Sequence, residues 1–218
     1  MKISACIFDL DGVIVDTAKY HFLAWKRLSE EIGISFTEED NEQLKGISRK
    51  RSLEIILELG DKTLSQKEKD ELCDKKNQWY LQYILQLNPD SILPGVYDFL
   101  TELKEKKIKI ALGSASKNAG VILDKLNTTH FFDVIIDGNK ITKAKPDPQI
   151  FLRAAAELKV PSAHCVVFED AVAGIEAAIN GNMHCVGVGD EKILHNANFV
   201  IQTFEGMTYD KLIKNLKN

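Results

Sequence analysis

Two carboxylates two residues apart, Asp9 and Asp11, end the apolar run in "ISACIFDLDGVIVDT", residues 3 to 17. A second acid pair, Glu169 and Asp170, ends the run "CVVF". Ser114, Ala115, Ser116, Lys117 and Asn118 follow "IKIALG", and Lys145 stands in the loop after "FFDVII". Short apolar runs rich in β-branched residues read as strands, so each group sits at the carboxyl end of one. In an open parallel sheet that rim is where ligands bind. If the first strand ran on through Leu10, Asp9 and Asp11 would share a face. Close carboxylates repel, so one takes a proton or a cation compensates. Four acids against one lysine leave room for a hard divalent cation, and an all-oxygen set favours magnesium. Either acid pair alone reads equally well as helix caps or solvated loop residues. That reading weakens when both pairs and the lysine follow strands.

The elements that must hold these groups alternate. Residues 3 to 8 read as a strand. Residues 17 to 88 show helical spacing, with Tyr20, Ala24 and Leu28 on one stripe and Leu72, Trp79, Tyr83 and Leu87 on another. Ser65 with Glu68 is a capping-box signature. "NPDSILPG", residues 88 to 95, punctuates the chain. Helix and strand then alternate to "HCVGVG", with Asp147 and Pro148 reading as N-cap and first residue of a helix over 148 to 158. The tail beyond about 190 is expected to complete the sheet and add a final helix. This pattern predicts an α/β fold, a Rossmann-like parallel sheet covered on both faces, interrupted after its first strand by an all-helical insert. The expected domains are a core of 1–16 plus 92–218 and a helical cap of 17–91.

The 218 residues are 44% hydrophobic with a net charge of -4, enough for a sizeable core and unlike a disordered chain. Mild acidity without a Lys/Arg block argues against nucleic acid as the main partner. No stretch approaches a membrane span, and the N-terminus does not read as a signal peptide. Cys6, Cys73, Cys165 and Cys185 lack metal-ligand spacing and read as reduced, which fits a cytoplasmic protein.

"DLDGVIVDT", Ser114, Lys145 and "ED" at 169–170 occur in the order and strand contexts of the haloacid dehalogenase superfamily of phosphoryl-transfer enzymes, which the whole chain resembles. The helical insert resembles that superfamily's C1-type cap. The resemblance implies Asp9 as nucleophile forming an aspartyl-phosphate, and Ser114 and Lys145 as catalytic partners of the transferring phosphoryl. It implies Asp170 and Asp9 as metal ligands, with Glu169 a ligand or a neighbour of one. Asp11 would give its backbone carbonyl to the metal, leaving its side chain free for general acid–base work. Gly12 permits the sharp turn after the acids.

Within the superfamily, "DTAKYHFLAWKRLSEEIGI", "LKGISRKRSL" and "SASKN" are similar to the β-phosphoglucomutase family. That similarity implies substrate binding by Thr17, His21, Trp25, Lys45, Gly46, Arg49, Ser52, Lys76, Ser114, Ala115, Ser116, Lys117 and Asn118. Arg49, Ser116, Lys117 and Asn118 would hold the non-reacting phosphate, Trp25 would line the sugar site and Thr17 would sit at the hinge. His21 and Lys76 would lie near the site, with His21 helping to position Asp11. The implied reaction is the Mg2+-dependent interconversion of β-D-glucose 1-phosphate and glucose 6-phosphate, with one Mg2+ per site. It would run through β-glucose 1,6-bisphosphate in a monomer that acts on a small sugar phosphate. A mutase needs two anion sites and exclusion of water, and a planar guanidinium such as Arg49 binds phosphate bidentately. Taken singly, "SRKR" reads as a solvated basic turn, His21 as a packed histidine, Trp25 as a core aromatic and "SASKN" as a helix start. A sugar-phosphate or phosphoglycolate phosphatase and a non-catalytic phospho-ligand binder remain the alternatives. Two places depart from the family pattern: Gly113, where alanine is expected, and "DGNKITKAKP", residues 137 to 146.

Overall fold

The computed structural model describes residues 2–44 and 47–217. Among them, β1 (Ala5–Phe8), β2 (Lys109–Gly113), β3 (Val134–Ile136), β4 (Cys165–Glu169), β5 (His184–Val188) and β6 (Phe199–Ile201) form one sheet. Its order is β3-β2-β1-β4-β5-β6 and every pairing is parallel. The order runs outward in both directions from β1 and β4, so a topological switch point lies between them. The connecting helices of this unit are α5 (Val96–Glu105), α6 (Ala119–Lys125), α7 (Gln149–Leu158), α8 (Val172–Asn180) and α9 (Tyr209–Asn215). The tail supplies β6 and α9, as expected.

Strand alternation divides the core. Ala5 and Ile7, with Ala111, Cys165 and Val167, pack against Phe151 and Ala154 of α7 and Ile175 of α8. On the opposite face Phe8 stacks on Phe168, ring centroids 4.7 Å apart, and both meet Phe99 and Phe204. All four cysteines are buried and free. The strands are apolar on both faces because helices or aromatic clusters cover both.

The first strand is shorter than the 3–8 run predicts. The chain leaves the sheet at Leu10, whose carbonyl accepts the Ile14 N–H at 2.9 Å, so Asp9 and Asp11 do not alternate along a continuing strand. The helix predicted over 148–158 begins at Gln149. Asp147 still serves its end, its carboxylate accepting the Gln149 N–H at 2.9 Å.

The chain divides into two compact units, Met1–Asp16 with Asn88–Asn218, and Thr17–Leu87. Residues 88–91 fall in the first unit rather than in a cap ending at 91. Asn88 caps a short 3-10 turn over Pro89–Ser91, and the Leu93 N–H then bonds the Ile14 carbonyl at 2.9 Å.

The second unit holds α1 (Ala18–Glu31), α2 (Glu38–Glu42), α3 (Arg49–Leu59) and α4 (Gln66–Ile84). The capping box forms: Ser65 Oγ accepts the Glu68 N–H, and Glu68 accepts the Ser65 N–H at 2.7 Å. The buried stripe of α4 differs from the predicted one. It is Cys73, Lys76, Trp79, Tyr80 and Ile84, with Leu72 and Tyr83 only half-buried. A lysine sits at its centre because aromatic faces and an imidazole receive its charge. Lys76 Nζ lies 4.7 Å from the Trp25 ring centroid, 4.6 Å from that of Tyr80 and 2.9 Å from His21 Nδ1. An ammonium only donates, so His21 Nδ1 must accept, which makes the imidazole neutral with its proton on Nε2. Burial, then the charges of Lys76 and Arg49, hold the His21 pKa well below its ordinary value.

This arrangement predicts an acid-sensitive cap. As pH falls below about 6.5 the unfolded chain takes up a proton on His21 that the folded unit refuses, so stability declines. Both tryptophans, Trp25 and Trp79, lie in this unit, so their fluorescence reports its unfolding. The H21Q variant, which can still accept from Lys76, should show a shallower decline in melting temperature between pH 7 and 5. Parallel declines in H21Q and wild type would count against the neutral-acceptor assignment.

Candidate active site

One residue beyond the paired Phe8, Leu112 and Phe168 come Gly113, Asp9 and Glu169, side by side at the carboxyl rim of β2, β1 and β4. Asp9 and Glu169 are nearly buried and neighbour each other across the switch point. Lys145 makes that tolerable. Its ammonium donates to Asp9 Oδ1 at 2.7 Å and to Glu169 Oε1. Burial alone would lower the lysine's pKa, but the Asp9 and Glu169 charges outweigh it and hold the ammonium protonated. Burial raises Glu169 to about 7 and the Asp9 charge adds to the rise, against the pull of Lys145 and of the Ala171 N–H that Glu169 Oε2 accepts at 3.0 Å.

Among the described residues, one group of carboxylates could hold a metal ion: Asp9, Glu169 and Asp170, with one oxygen each within 4.8 Å of the others. Hard oxygen donors with two glycine cradles fit a divalent cation of the Mg2+ or Ca2+ type. A Cβ at Gly12, where φ is +77°, would lie 2.0 Å from Asp170 Oδ2. A Cβ at Gly174 in α8 would lie 2.0 Å from Glu169 Cδ. Gly12 therefore makes room for an acid as well as a turn. Asp11 is half-buried and its carboxylate is not one of the three that converge; the expected contribution of Asp11 is its backbone carbonyl.

Ser114 is buried after β2, its N–H bonded to the Ile136 carbonyl at 3.0 Å. Ser114 Oγ accepts the Ser116 N–H at 3.1 Å, and Ser116 Oγ accepts the Asn118 N–H at 3.2 Å. Lys117 is exposed, while Ala115, Ser116 and Asn118 are half-buried. The loop carrying Lys145 is anchored along its length. Gln149 Oε1 accepts the Thr142 and Lys143 N–H groups at 2.8 and 2.9 Å, and Asn180 Nδ2 donates to the Pro146 carbonyl at 3.1 Å. Gly113 has a steric explanation. A Cβ there would come within 2.9 Å of the Phe151 ring, whose centroid is 5.0 Å from Lys145 Nζ.

In the helical unit the basic run 48–51 splits. Lys50 pairs with Asp70 at 2.7 Å and Arg51 with Glu58 at 2.8 Å, both on the surface. Arg49, the first residue of α3, is drawn inward, and its Nη2 donates to Asn77 Oδ1 at 2.7 Å. Burial lowers its pKa from the usual arginine value, yet a guanidinium stays charged. Ser52 is buried with its hydroxyl donating to the Ser48 carbonyl at 3.1 Å. Trp25 is buried against Lys76. Thr17 is buried, and its carbonyl starts α1 by accepting from Tyr20 and His21. Lys45 and Gly46 lie outside the described residues.

Several contributors escaped the motif reading: Gly174, Phe151, Gln149 and Asn77. Gly174 carried a signal, because a glycine inside the helix "AVAGIEAAI" costs about 1 kcal/mol relative to alanine and asks for a reason. Asn77 and Gln149 carried none, since nothing local marks an amide that will brace a distant group.

A buried carboxylate that shares an ammonium, next to a cation-competent acid cluster and a hydroxyl-lined loop, can hold an anionic ester and present an oxygen nucleophile to it. Known proteins agree with this chemistry. Residues 3–182 match the family model for haloacid dehalogenase-like hydrolase. The chain is 47% identical to a β-phosphoglucomutase of Bacillus subtilis, over 95% of this chain and 93% of that protein. It is 33% identical to a phosphorylated carbohydrates phosphatase of Thermotoga maritima, over 80% and 79%. The crystal structure of a β-phosphoglucomutase from Clostridium difficile superposes with a TM-score of 0.95 at 42% identity, covering 99% of this chain and 97% of that one. Among the described residues no helix is long and apolar enough to cross a membrane. The chain belongs to the haloacid dehalogenase-like hydrolase family and, within it, to the β-phosphoglucomutase family.

Proposed function

We propose that this protein is a β-phosphoglucomutase that interconverts β-D-glucose 1-phosphate and glucose 6-phosphate through β-glucose 1,6-bisphosphate. Phosphorylated Asp9 passes its phosphoryl to the 6-hydroxyl of β-glucose 1-phosphate, whose proton goes to Asp11, and β-glucose 1,6-bisphosphate forms. With the bisphosphate turned round, Asp9 attacks the 1-phosphate, the bond from phosphorus to the anomeric oxygen breaks, and that departing oxygen takes the proton back from Asp11, which leaves glucose 6-phosphate and phosphorylated Asp9. Lys145 and Ser114 hold the phosphoryl oxygens, with the Ala115 N–H beside them. Asp9, Glu169, Asp170 and the Asp11 carbonyl would hold one Mg2+, which when bound neutralises charge between the nucleophile and the phosphate. Arg49, Ser116, Lys117 and Asn118 bind the phosphate that is not transferred. His21, Lys76, Trp25, Thr17, Lys45, Gly46 and Ser52 complete the substrate set, and the protein acts as a monomer in the cytoplasm.

The observation that carries the mutase reading is Arg49. Its neighbours Lys50 and Arg51 pair with surface carboxylates, whereas Arg49 is drawn in and donates to the Asn77 amide, with Asp74 a nearby charge but no ion pair to it among the described residues. A phosphatase needs the Asp9 cluster; a second retained cation suits a substrate with two phosphates.

With Mg2+, β-glucose 1-phosphate and a trace of β-glucose 1,6-bisphosphate, the protein should yield glucose 6-phosphate without matching free phosphate. Rapid release of inorganic phosphate would instead assign a phosphatase. The R49A variant should raise KM for the sugar phosphate about tenfold or more while leaving phosphorylation of Asp9 by acetyl phosphate largely intact. Equal losses in both reactions would remove the second anion site.

The cradle at Gly174 gives a separate check. The G174A variant should raise the Mg2+ concentration needed for half-maximal phosphorylation by about tenfold, because the new methyl displaces Glu169. The G120A variant, whose Cβ would meet nothing within 4 Å, is the control and should be indistinguishable from wild type.

A further inference from the structure

The segment "DGNKITKAKP" departs from the family pattern, and its first three residues lie against the loop 114–118. The Gly138 N–H donates to the Ser116 carbonyl at 3.1 Å. Asn139 Nδ2 donates to the Lys117 carbonyl at 3.1 Å. Asn139 is itself fixed by Asp137, which accepts its N–H and its Nδ2, both at 3.0 Å. A Cβ at Gly138 would stand 2.2 Å from the Ala115 carbonyl oxygen, so this close approach requires a glycine. The two carbonyls of the loop's central peptides are thus tied down from β3's side. A peptide whose carbonyl is fixed has its other edge fixed as well, because the unit is planar. Holding the Ser116 carbonyl therefore sets the direction of the Lys117 N–H, and holding the Lys117 carbonyl sets that of the Asn118 N–H, which Ser116 Oγ accepts at 3.2 Å, so the brace also places the Ser116 hydroxyl.

We propose that the Asp137–Gly138–Asn139 turn is a positioning device for the non-transferring phosphate, with Asn139 its key donor. The inference rests on the mutase reading above and deepens it. Asn139 touches neither the nucleophile nor the transferring group. It acts through the backbone of Lys117, so its loss falls on binding of the second phosphate and spares phosphorylation of Asp9. Three internal contacts make the turn rigid: Asp137 holds Asn139, and the Lys140 N–H bonds the Asp137 carbonyl at 3.0 Å.

The test is the N139A variant, assayed as the full chain beside wild type. KM for β-glucose 1-phosphate should rise about fivefold, the worth of one hydrogen bond. Neither kcat nor the rate of Asp9 phosphorylation by acetyl phosphate should change. A general loosening of the fold would lower all three together, and that result overturns the proposal. So does an N139A enzyme that isomerises with an unaltered KM. A wild-type protein that makes no glucose 6-phosphate overturns the mutase reading and this inference with it, which separates the two failures.

Discussion

An ammonium buried between two carboxylates is the constraint from which the rest of the site follows. Asp9 and Glu169 end adjacent parallel strands, so the sheet brings them together without any choice of rotamer. Two buried like charges at that spacing are costly, and removing one partner of such a buried set costs about 3–5 kcal/mol. Lys145 bonds both, and it does so from a loop that would wander unless tied. Gln149 and Asn180 tie it. The switch point is therefore where the strand order reverses and also where one lysine can reach both strand ends. Burial, with the Asp9 charge, holds the Glu169 pKa above the ordinary carboxylate value even with Lys145 bonded to it. A hard cation at the three converging carboxylates would offset that charge.

Much of the site is shaped by missing side chains. Gly12 leaves space for Asp170, Gly174 for Glu169 and Gly113 for the Phe151 ring. In each case an alanine would collide with the group that the site needs in place. Such glycines differ from turn glycines. Gly113 lies in a strand and Gly174 in a helix, where glycine costs conformational entropy, so space outweighed local propensity at both positions.

The alternation of strands and helices, the helical insert and the acids with their lysine were legible in the sequence because periodicity and strand ends are local signals. The "DLD" geometry was less so. Asp9 and Asp11 would share a face only on a strand that ran through Leu10, but the chain turns there, and the second acid that Asp9 meets is Glu169, 160 positions away. The stripe read in the helical insert at Leu72, Trp79, Tyr83 and Leu87 was legible in part: Trp79 and Leu87 are buried, but Leu72 and Tyr83 are only half-buried. A hydrophobic template passes over Lys76, yet Trp25, Tyr80 and His21 make a lysine the residue that fits. Braces such as Asn77 and Asn139 depend on contacts 28 and 22 residues apart and leave no periodic trace.

The two units hold their inward-drawn cations in different ways. In the core, the carboxylates of Asp9 and Glu169 accept from Lys145 and fix it firmly. In the helical unit, Arg49 donates to the Asn77 amide, and Lys76 donates to the His21 imidazole beside the Trp25 and Tyr80 rings. Neutral partners orient a cation without cancelling its charge. The imidazole can play this part only while unprotonated, the state that burial first, and then the charges of Lys76 and Arg49, favour for His21. On the mutase reading proposed above, Arg49 would meet the phosphate that is not transferred, and its amide partner would orient the guanidinium for it.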